Sequence, residues 1–277
     1  MSAAERVQRA RWARVRTRAT AMMGALAVAS LVALAACGGS GGNGNAAPAP
    51  AVPGPEGLWT GSTNTSRSVT GIVLDNGTYW ILYSLPRASS LIAGVVQGTS
   101  SSGNGAFTSS DGIDFNLEGQ GINNATLAAS YAARQSFDGS VTYPNLNPAF
   151  TFTSTYNTDY DQTPSVSAIA GTYTGIASVA GGDEPATVVV NPLGLIAGAG
   201  IVVRTGTAGC QFAGTAVPRA HGNVYDLSVA VSGVGACANG PGTVKGIGYF
   251  DASAKRFYLA ALDKSRSDGL IFVGIKS

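Results

Sequence analysis

The stretch TGIVLDNGTYWILY, residues 70–83, decides the fold class of this chain. Two runs rich in β-branched and aromatic residues flank Asn76-Gly77, a dipeptide that is the strongest short-range signal for a two-residue β-hairpin turn. Side chains along a strand alternate between two faces, and in the second run both faces carry large residues. The stretch therefore predicts an antiparallel hairpin whose second strand is bulky on both sides.

Similar runs of Val, Ile, Thr, Tyr and Phe, separated by Gly, Asn, Asp and Ser, fill the rest of the chain to its C-terminus. At Asp114, Asn116 and Glu118, polar residues alternate with apolar ones, and we interpret these three as the outer, solvated face of a strand. Residues 186–203 are uncharged and near the length of a membrane-spanning helix. Because Asn191-Pro192-Leu193-Gly194 interrupts them, we predict a hairpin there as well.

A short repeat indicates two related domains. Gly57-Leu-Trp-Thr-Gly61 and Gly171-Thr-Tyr-Thr-Gly175 lie 114 residues apart, and each precedes a polar loop and a valine-rich strand. Residues 157–164 between the two halves are typical of a joint. We therefore predict an all-β protein with two small antiparallel β-barrel or β-sandwich domains, at 56–160 and 165–277, each near the commonest domain size.

The N-terminal region is typical of an export signal. Six arginines precede the uncharged run 21–36, which is too short to span a bilayer comfortably. The run ends in Leu34-Ala35-Ala36-Cys37, which resembles the bacterial lipobox. That resemblance implies a signal peptide at 1–36, cleavage before Cys37, and acyl chains on its sulfur and new amine. An ordinary cleaved signal followed by a chance cysteine is the alternative.

Residues 37–55 form a predicted tether, flexible where it is rich in glycine and stiffer where alanine and proline alternate. Acyl chains on Cys37 would hold the protein on a membrane without a spanning helix. An aspartate directly after the cysteine would resemble an inner-membrane retention signal, but this position is Gly38. The outer membrane is therefore the expected location if the cell is Gram-negative, and the membrane is the expected partner.

Charge and cysteine content fit an exported protein. The whole chain carries 17 basic and 15 acidic residues, but 11 and 14 remain once residues 1–36 are removed. Such a slightly acidic protein without a basic run offers no footprint for nucleic acid. With Cys37 acylated, Cys210 and Cys237 remain, and we predict a disulfide between them. Two free buried thiols are the alternative.

No motif indicates an enzyme, a metal site or a cofactor. His221 is the single histidine, in a setting typical of a solvated turn, and a triad using it with Asp226 would lack a recognisable nucleophile. The acidic run from Asp111 to Glu118 lacks the spacing of a calcium loop, and we interpret Asp159 and Asp161 as caps of the joint between the domains. The loop 263–268 is charged but balanced in sign, which is typical of a solvated turn.

One set of residues is a candidate ligand surface: Trp59, Tyr79, Trp80 and Tyr83. On the strand 78–83, Tyr79 and Tyr83 share a face with Ile81, and Trp80 points the other way. One interpretation is core on one face and packing between domains on the other. The second places Trp80 or Trp59 in the mouth of a small barrel, where an apolar or sugar ligand could stack.

Several segments resemble a group of uncharacterised proteobacterial outer-membrane lipoproteins: residues 57–61, 171–175, 209–214, 223–226 and 267–274. The resemblance implies an envelope location and brings no known activity with it. Surface lipoproteins of the transferrin-receptor type are similar in architecture, since they also combine a lipid anchor, a glycine-rich tether and small barrels. Their barrel signature is not found in this sequence.

These features predict a non-enzymatic envelope lipoprotein that acts as a binding or structural module. The alternative is a carrier that encloses a small apolar ligand in a lipocalin-like β-barrel. The sequence does not indicate which protein or small molecule would be the partner.

Overall fold

Nearly all regular structure is β-strand in the part of the chain that the structure, a computed structural model, describes: residues 53–144 and 146–277. The predicted signal peptide, Cys37 and the tether up to residue 52 lie outside the described residues. Within the described ranges, no helix is long and apolar enough to cross a membrane.

The first barrel consists of β1 to β9, at Gly57–Thr63, Ser68–Val73, Thr78–Leu85, Ala88–Thr99, Ser101–Gly103, Ala106–Asn116, Gly121–Ala132, Ser136–Tyr143 and Leu146–Asn157. Neighbouring strands pair antiparallel, and β1 also pairs with β9. The ring closes where β4 pairs with β6, and the short β5 pairs with the other end of β6. The result is a closed barrel of eight strand positions. Its β2–β3 hairpin turns at Asn76-Gly77, as predicted.

The second barrel consists of β10 to β17, at Gly171–Val179, Gly182–Val190, Leu195–Val202, Thr207–Pro218, Tyr225–Gly233, Gly242–Asp251, Arg256–Leu262 and Gly269–Lys276. Each strand pairs with the next, and β10 pairs with β17 to close the ring. A 3-10 helix at Thr158–Asp161 and a single α-helical turn, α1 at Val166–Ile169, connect the barrels. The all-β fold class is confirmed, as two closed antiparallel barrels in tandem. The stretch predicted as a hairpin forms β11 and β12.

Both barrels begin with the same local construction. Trp59 in β1 and Tyr173 in β10 are fully buried, and each donates a hydrogen bond to the backbone carbonyl four residues before it, at 3.0 and 2.7 Å. Each ring then packs at a tilt on the strand before the last of its own barrel, through Phe137 at 5.5 Å and Phe257 at 5.3 Å. The repeat noticed at Gly57 and Gly171 is thus a repeat of tertiary contacts.

The two barrels share a hydrophobic seam formed by outward-facing side chains of both. It contains Trp80, Leu82 and Phe115 from the first barrel, and Ile247 and Ile271 from the second, all of them buried. Burying an aromatic or aliphatic side chain of this size contributes roughly 1.5–3 kcal/mol. The strand β3 is therefore buried on both faces, one in its own barrel and one in the seam.

Two arginines of the second barrel reach the first. Arg219 lies 2.6 Å from the carboxylate of Asp75. Arg266 donates to the backbone carbonyls of Gln97 and Asp111, each at 2.7 Å. The prediction that the loop 263–268 is only a solvated turn is wrong for Arg266, because its side chain crosses the seam and satisfies carbonyls of the other barrel.

The described barrels contain their own core. Every residue of the three hydrophobic clusters falls between Leu58 and Phe272, and both barrels belong to one compact unit. A fragment that begins at Pro53 therefore carries all the strands that the structure describes, together with both interiors, and is suited to binding and unfolding measurements.

One end of the second barrel is closed by a plug, the 3-10 helix Gly235–Cys237 that follows β14. The disulfide predicted between Cys210 and Cys237 is present and fastens this plug to β13. The buried Glu184 of β11 accepts hydrogen bonds from the backbone N–H groups of Cys210 at 2.8 Å and Ala236 at 2.9 Å. Buried carboxyl oxygens are tolerated when backbone donors satisfy them, so the Glu184 side chain and the disulfide together hold the plug.

Replacing both Cys210 and Cys237 by serine should lower the free energy of unfolding by roughly 3–4 kcal/mol, because the bridge spans 27 residues and restricts the unfolded chain. Urea unfolding of the fragment, followed by circular dichroism, which reports the strands of both barrels, measures the change. Wild-type fragment kept in reductant is the control and should match the double variant. An oxidised wild type no more stable than the variant would contradict this role.

Candidate functional site

A cavity of about 540 Å³ opens at the end of the first barrel where β1 finishes. We call it the cup. Aliphatic and aromatic side chains form its wall, and polar side chains surround its opening. Its lining is Thr63, Thr65, Arg67, Val69, Ile81, Tyr83, Val96, Asp114, Asn116, Glu118, Gln120, Asn123, Val141, Tyr143, Phe150 and Phe152. A mainly apolar wall with few convergent polar groups is typical of a small-molecule site.

The lining of the cup includes a buried carboxylate. Asp114 on β6 is 3% exposed, and its two oxygens accept hydrogen bonds from the hydroxyls of Tyr83 and Tyr143, each at 2.8 Å. Asn116 donates to the Tyr83 hydroxyl at 3.2 Å. Because each carboxylate oxygen has two lone pairs, the carboxylate keeps acceptor capacity beyond these two bonds. The tyrosines fix its orientation.

Two glycines allow the tyrosines of β3 to reach across the neighbouring strand. Tyr83 pairs with Gly94 and Tyr79 pairs with Gly98 on β4. A Cβ atom at Gly94 would collide with the Tyr83 hydroxyl and with the backbone of β6, and one at Gly98 would collide with the Tyr79 ring. The missing side chains therefore leave the path by which the Tyr83 hydroxyl reaches Asp114.

The opening of the cup carries an ion pair. Arg67 lies 2.8 Å from Glu118, donates to the carbonyl of Ser84 at 2.9 Å and lies over the ring of Tyr83 at 5.6 Å from its centroid. Arg67, Asp114 and Glu118 are the charged residues of the lining, so its formal charge is negative by one unit when both carboxylates are ionised.

Burial controls the acid–base behaviour of Asp114. Loss of hydration raises the pKa of Asp114 to about 6, while the hydroxyls of Tyr143 and Tyr83 and the charge of Arg67 act in the opposite direction. Burial, together with the neighbouring carboxylate, raises the pKa of both tyrosines. Their hydroxyls therefore stay protonated and serve as donors at neutral pH.

The two barrels differ at this end. The end of the first barrel where β1 finishes corresponds to the end of the second where β10 finishes, and there Gly181 lies against the plug residue Ala236. Buried side chains fill the second interior, among them Tyr173, Phe212 and Phe272. One barrel is thus open at this end and the other is closed.

The structure separates the four residues that the sequence grouped as a ligand surface. Tyr83 lines the cup. Trp59 and Tyr79 are fully buried deeper in the same barrel, where Trp59 packs on Phe137. Trp80 lies in the seam. The alternation expected along β3 is present, with core on one face and contact between the barrels on the other.

The interpretation of Asp114, Asn116 and Glu118 as a solvated outer strand face is wrong. These three side chains line the cup, and the alternating Ile113, Phe115 and Leu117 belong to the seam. The second barrel covers the outer face of β6, so that face takes the apolar residues and the interior takes the polar ones. The sequence does contain a signal for this polar interior: Tyr79 and Tyr83 are four residues apart, as are the glycines Gly94 and Gly98 that they face on the next strand.

His221 is exposed in the loop between β13 and β14 and lines a second, more polar hollow of about 570 Å³. Asp226, which a catalytic triad with His221 would need, is paired instead with Arg219. In the same hollow Asp161 is paired with Arg134 at 2.6 Å. Among the described residues, no group of three or more His, Cys, Asp or Glu side chains is placed to hold a metal ion.

Comparison with known proteins found no matching family model and no matching curated protein. Among solved structures, isotype 1 transferrin-binding protein B from serogroup B Neisseria meningitidis is similar at 8% identity, covering 76% of this chain and 66% of that one, with a TM-score of 0.29. This chain thus spans slightly under two thirds of the neisserial one. A protein assigned provisionally to the outer membrane of Bacteroides fragilis NCTC 9343 is similar at 13% identity, covering 81% and 96%, with a TM-score of 0.24. At such TM-scores neither similarity carries an inference about function.

Asp114 should make the protein less stable as the pH rises. Its pKa is about 6 in the folded state, well above the ordinary pKa of 3.8 for an aspartate, so the folded state binds the proton more tightly than the unfolded state. The resulting stabilisation is complete below about pH 4 and is lost as the pH rises through about 6; it amounts to at most about 3 kcal/mol. Asp114→Asn should remove this dependence.

Urea unfolding of the fragment at a series of pH values tests this expectation. The control is Asp183→Asn, which removes an exposed carboxylate from the second barrel and should leave the dependence in place. The same loss of stability between pH 4 and 7 in Asp114→Asn as in wild type would assign it to other groups.

Proposed function

We propose that this protein is a lipid-anchored module of the bacterial envelope that binds a small, largely apolar molecule in the cup, without chemistry. The observation that carries the proposal is the contrast between the barrels: the first keeps a cavity of about 540 Å³ at the end where the second is plugged. A cavity of this size falls within the range of small-molecule sites.

The character of the cup supports binding rather than catalysis. Its aliphatic wall, formed by Val69, Ile81, Val96 and Val141, gives an apolar ligand a place to lose hydration. The tyrosine hydroxyls are held in hydrogen bonds to Asp114 with raised pKa, so they are poor nucleophiles. The second barrel, with its plug and seam, supports the first.

The envelope location rests on the sequence Leu34-Ala35-Ala36-Cys37 and its resemblance to the lipobox. Acyl chains on Cys37 would anchor the barrels to a membrane, and the outer membrane is the proposed location in a Gram-negative cell. The proposal as a whole is that of a binding module held close to a membrane surface.

Filling the cup should weaken binding of an apolar probe. Val141 is buried in the lining, so Val141→Phe adds volume within the cavity. Titration of the fragment with Nile red, followed by its fluorescence, should show binding to wild type and affinity at least about tenfold weaker in the variant.

The control is Val217→Phe, the same change at a site 55% exposed on the second barrel, which should bind like wild type. Circular dichroism verifies that both variants are folded. Equal Nile red affinity in wild type and folded Val141→Phe would rule out the cup as the site.

Anchoring is tested in cells. Cys37→Ser should move the protein from the membrane fraction to the soluble fraction, because the acyl chains can no longer be attached. Ser40→Ala, three residues further along, is the control and should remain with the membrane. Retention of a cleaved Cys37→Ser protein on the membrane would refute lipid anchoring.

A further inference from the structure

Of the charged groups that line the cup, one is already paired within the protein and one is not. The guanidinium of Arg67 is engaged by Glu118 at 2.8 Å and by the carbonyl of Ser84 at 2.9 Å. Asp114, by contrast, is bound only by neutral hydroxyl and has acceptor capacity left on each oxygen. A ligand that enters the cup therefore meets one carboxylate that no cation pairs directly.

Two aromatic residues adjoin this carboxylate, and two more line the same cup. Tyr83 and Tyr143 bind it, and Phe150 and Phe152 belong to the same lining. The rings of Tyr143 and Phe150 meet edge to face with centroids 5.8 Å apart. Aromatic faces attract organic cations by their quadrupole, most strongly where water is displaced, and aromatic cages are a known means of binding ammonium groups. Tyr83 already has the guanidinium of Arg67 over its ring.

The apolar part of the wall lies beside the carboxylate. Asp114 on β6 pairs with Val96 on β4, and Val96 pairs in turn with Ile81 on β3, so the three residues lie at one level of the barrel. A polar head beside Asp114 would therefore leave an attached hydrocarbon chain in contact with aliphatic side chains.

We propose that the cup recognises an organic cation, an ammonium group that carries an apolar chain, with the ammonium beside Asp114 and its aromatic neighbours and the chain against Ile81 and Val96. This inference rests on the proposed function. An anionic head group in the same place would instead meet the Asp114 carboxylate, with the one guanidinium of the lining already paired to Glu118. Because Asp114 is buried, like charges beside it repel more strongly than they would in water.

Three probes of equal chain length separate the head group from the chain: decyltrimethylammonium, decanol and decanoate. Isothermal titration of the fragment should give an affinity for the ammonium at least about tenfold tighter than for decanoate, with decanol between them. Asp114→Asn should remove most of this preference while decanol still binds. Asp183→Asn, an exposed carboxylate on the second barrel, should keep it.

The outcomes distinguish the two proposals. If decanol binds, and decanoate binds as tightly as decyltrimethylammonium or more tightly, the proposal of a cation is overturned and the cup remains an apolar site. A preference for the ammonium that persists unchanged in Asp114→Asn would also overturn it. If none of the three probes binds, the cation proposal fails, and the proposed function fails as well when Nile red also does not bind.

Discussion

The contact between the two barrels decides which side chains line the cup. Side chains alternate along a strand, so a strand that buries apolar residues outward in the seam presents the intervening residues inward. On β6 this rule sends Phe115 to the second barrel and Asp114 to the interior of the first. An isolated barrel has water on its outer face and would place these residues the other way. The buried carboxylate is thus a consequence of the tandem arrangement.

The pair of barrels divides stability and recognition between them. Trp59 and Tyr173 repeat the same hydrogen bond and the same ring contact, which indicates one construction used twice. The second copy is closed by a disulfide and by Glu184, and its interior is filled. The first copy keeps a cavity and a buried carboxylate with a raised pKa, both of which cost stability.

Local signals were sufficient to predict the fold class and two domains from the sequence, but not the choice between barrel and sandwich. The Asn76-Gly77 turn, the repeat of glycine-bounded segments and the cysteine pair depend on neighbours in the chain or on simple counting, and the structure contains the hairpin, the tandem barrels and the disulfide. The site could not be predicted in the same way. Whether Asp114 faces water or an interior depends on a second barrel that begins more than fifty residues later, and the role of Arg266 depends on carbonyls of the other barrel.

The plug has a consequence for how freely the cup can vary. A folded body that holds stability in reserve tolerates destabilising substitutions elsewhere until a threshold is reached. Two polar residues of the lining lie away from the seam. Gln120 is in the turn before β7, and Asn123 is near the start of β7. Exchange of such side chains would alter what the cavity accepts while the bridged barrel keeps the pair folded. The architecture is therefore suited to diversification of its specificity by a few substitutions at one end of one barrel.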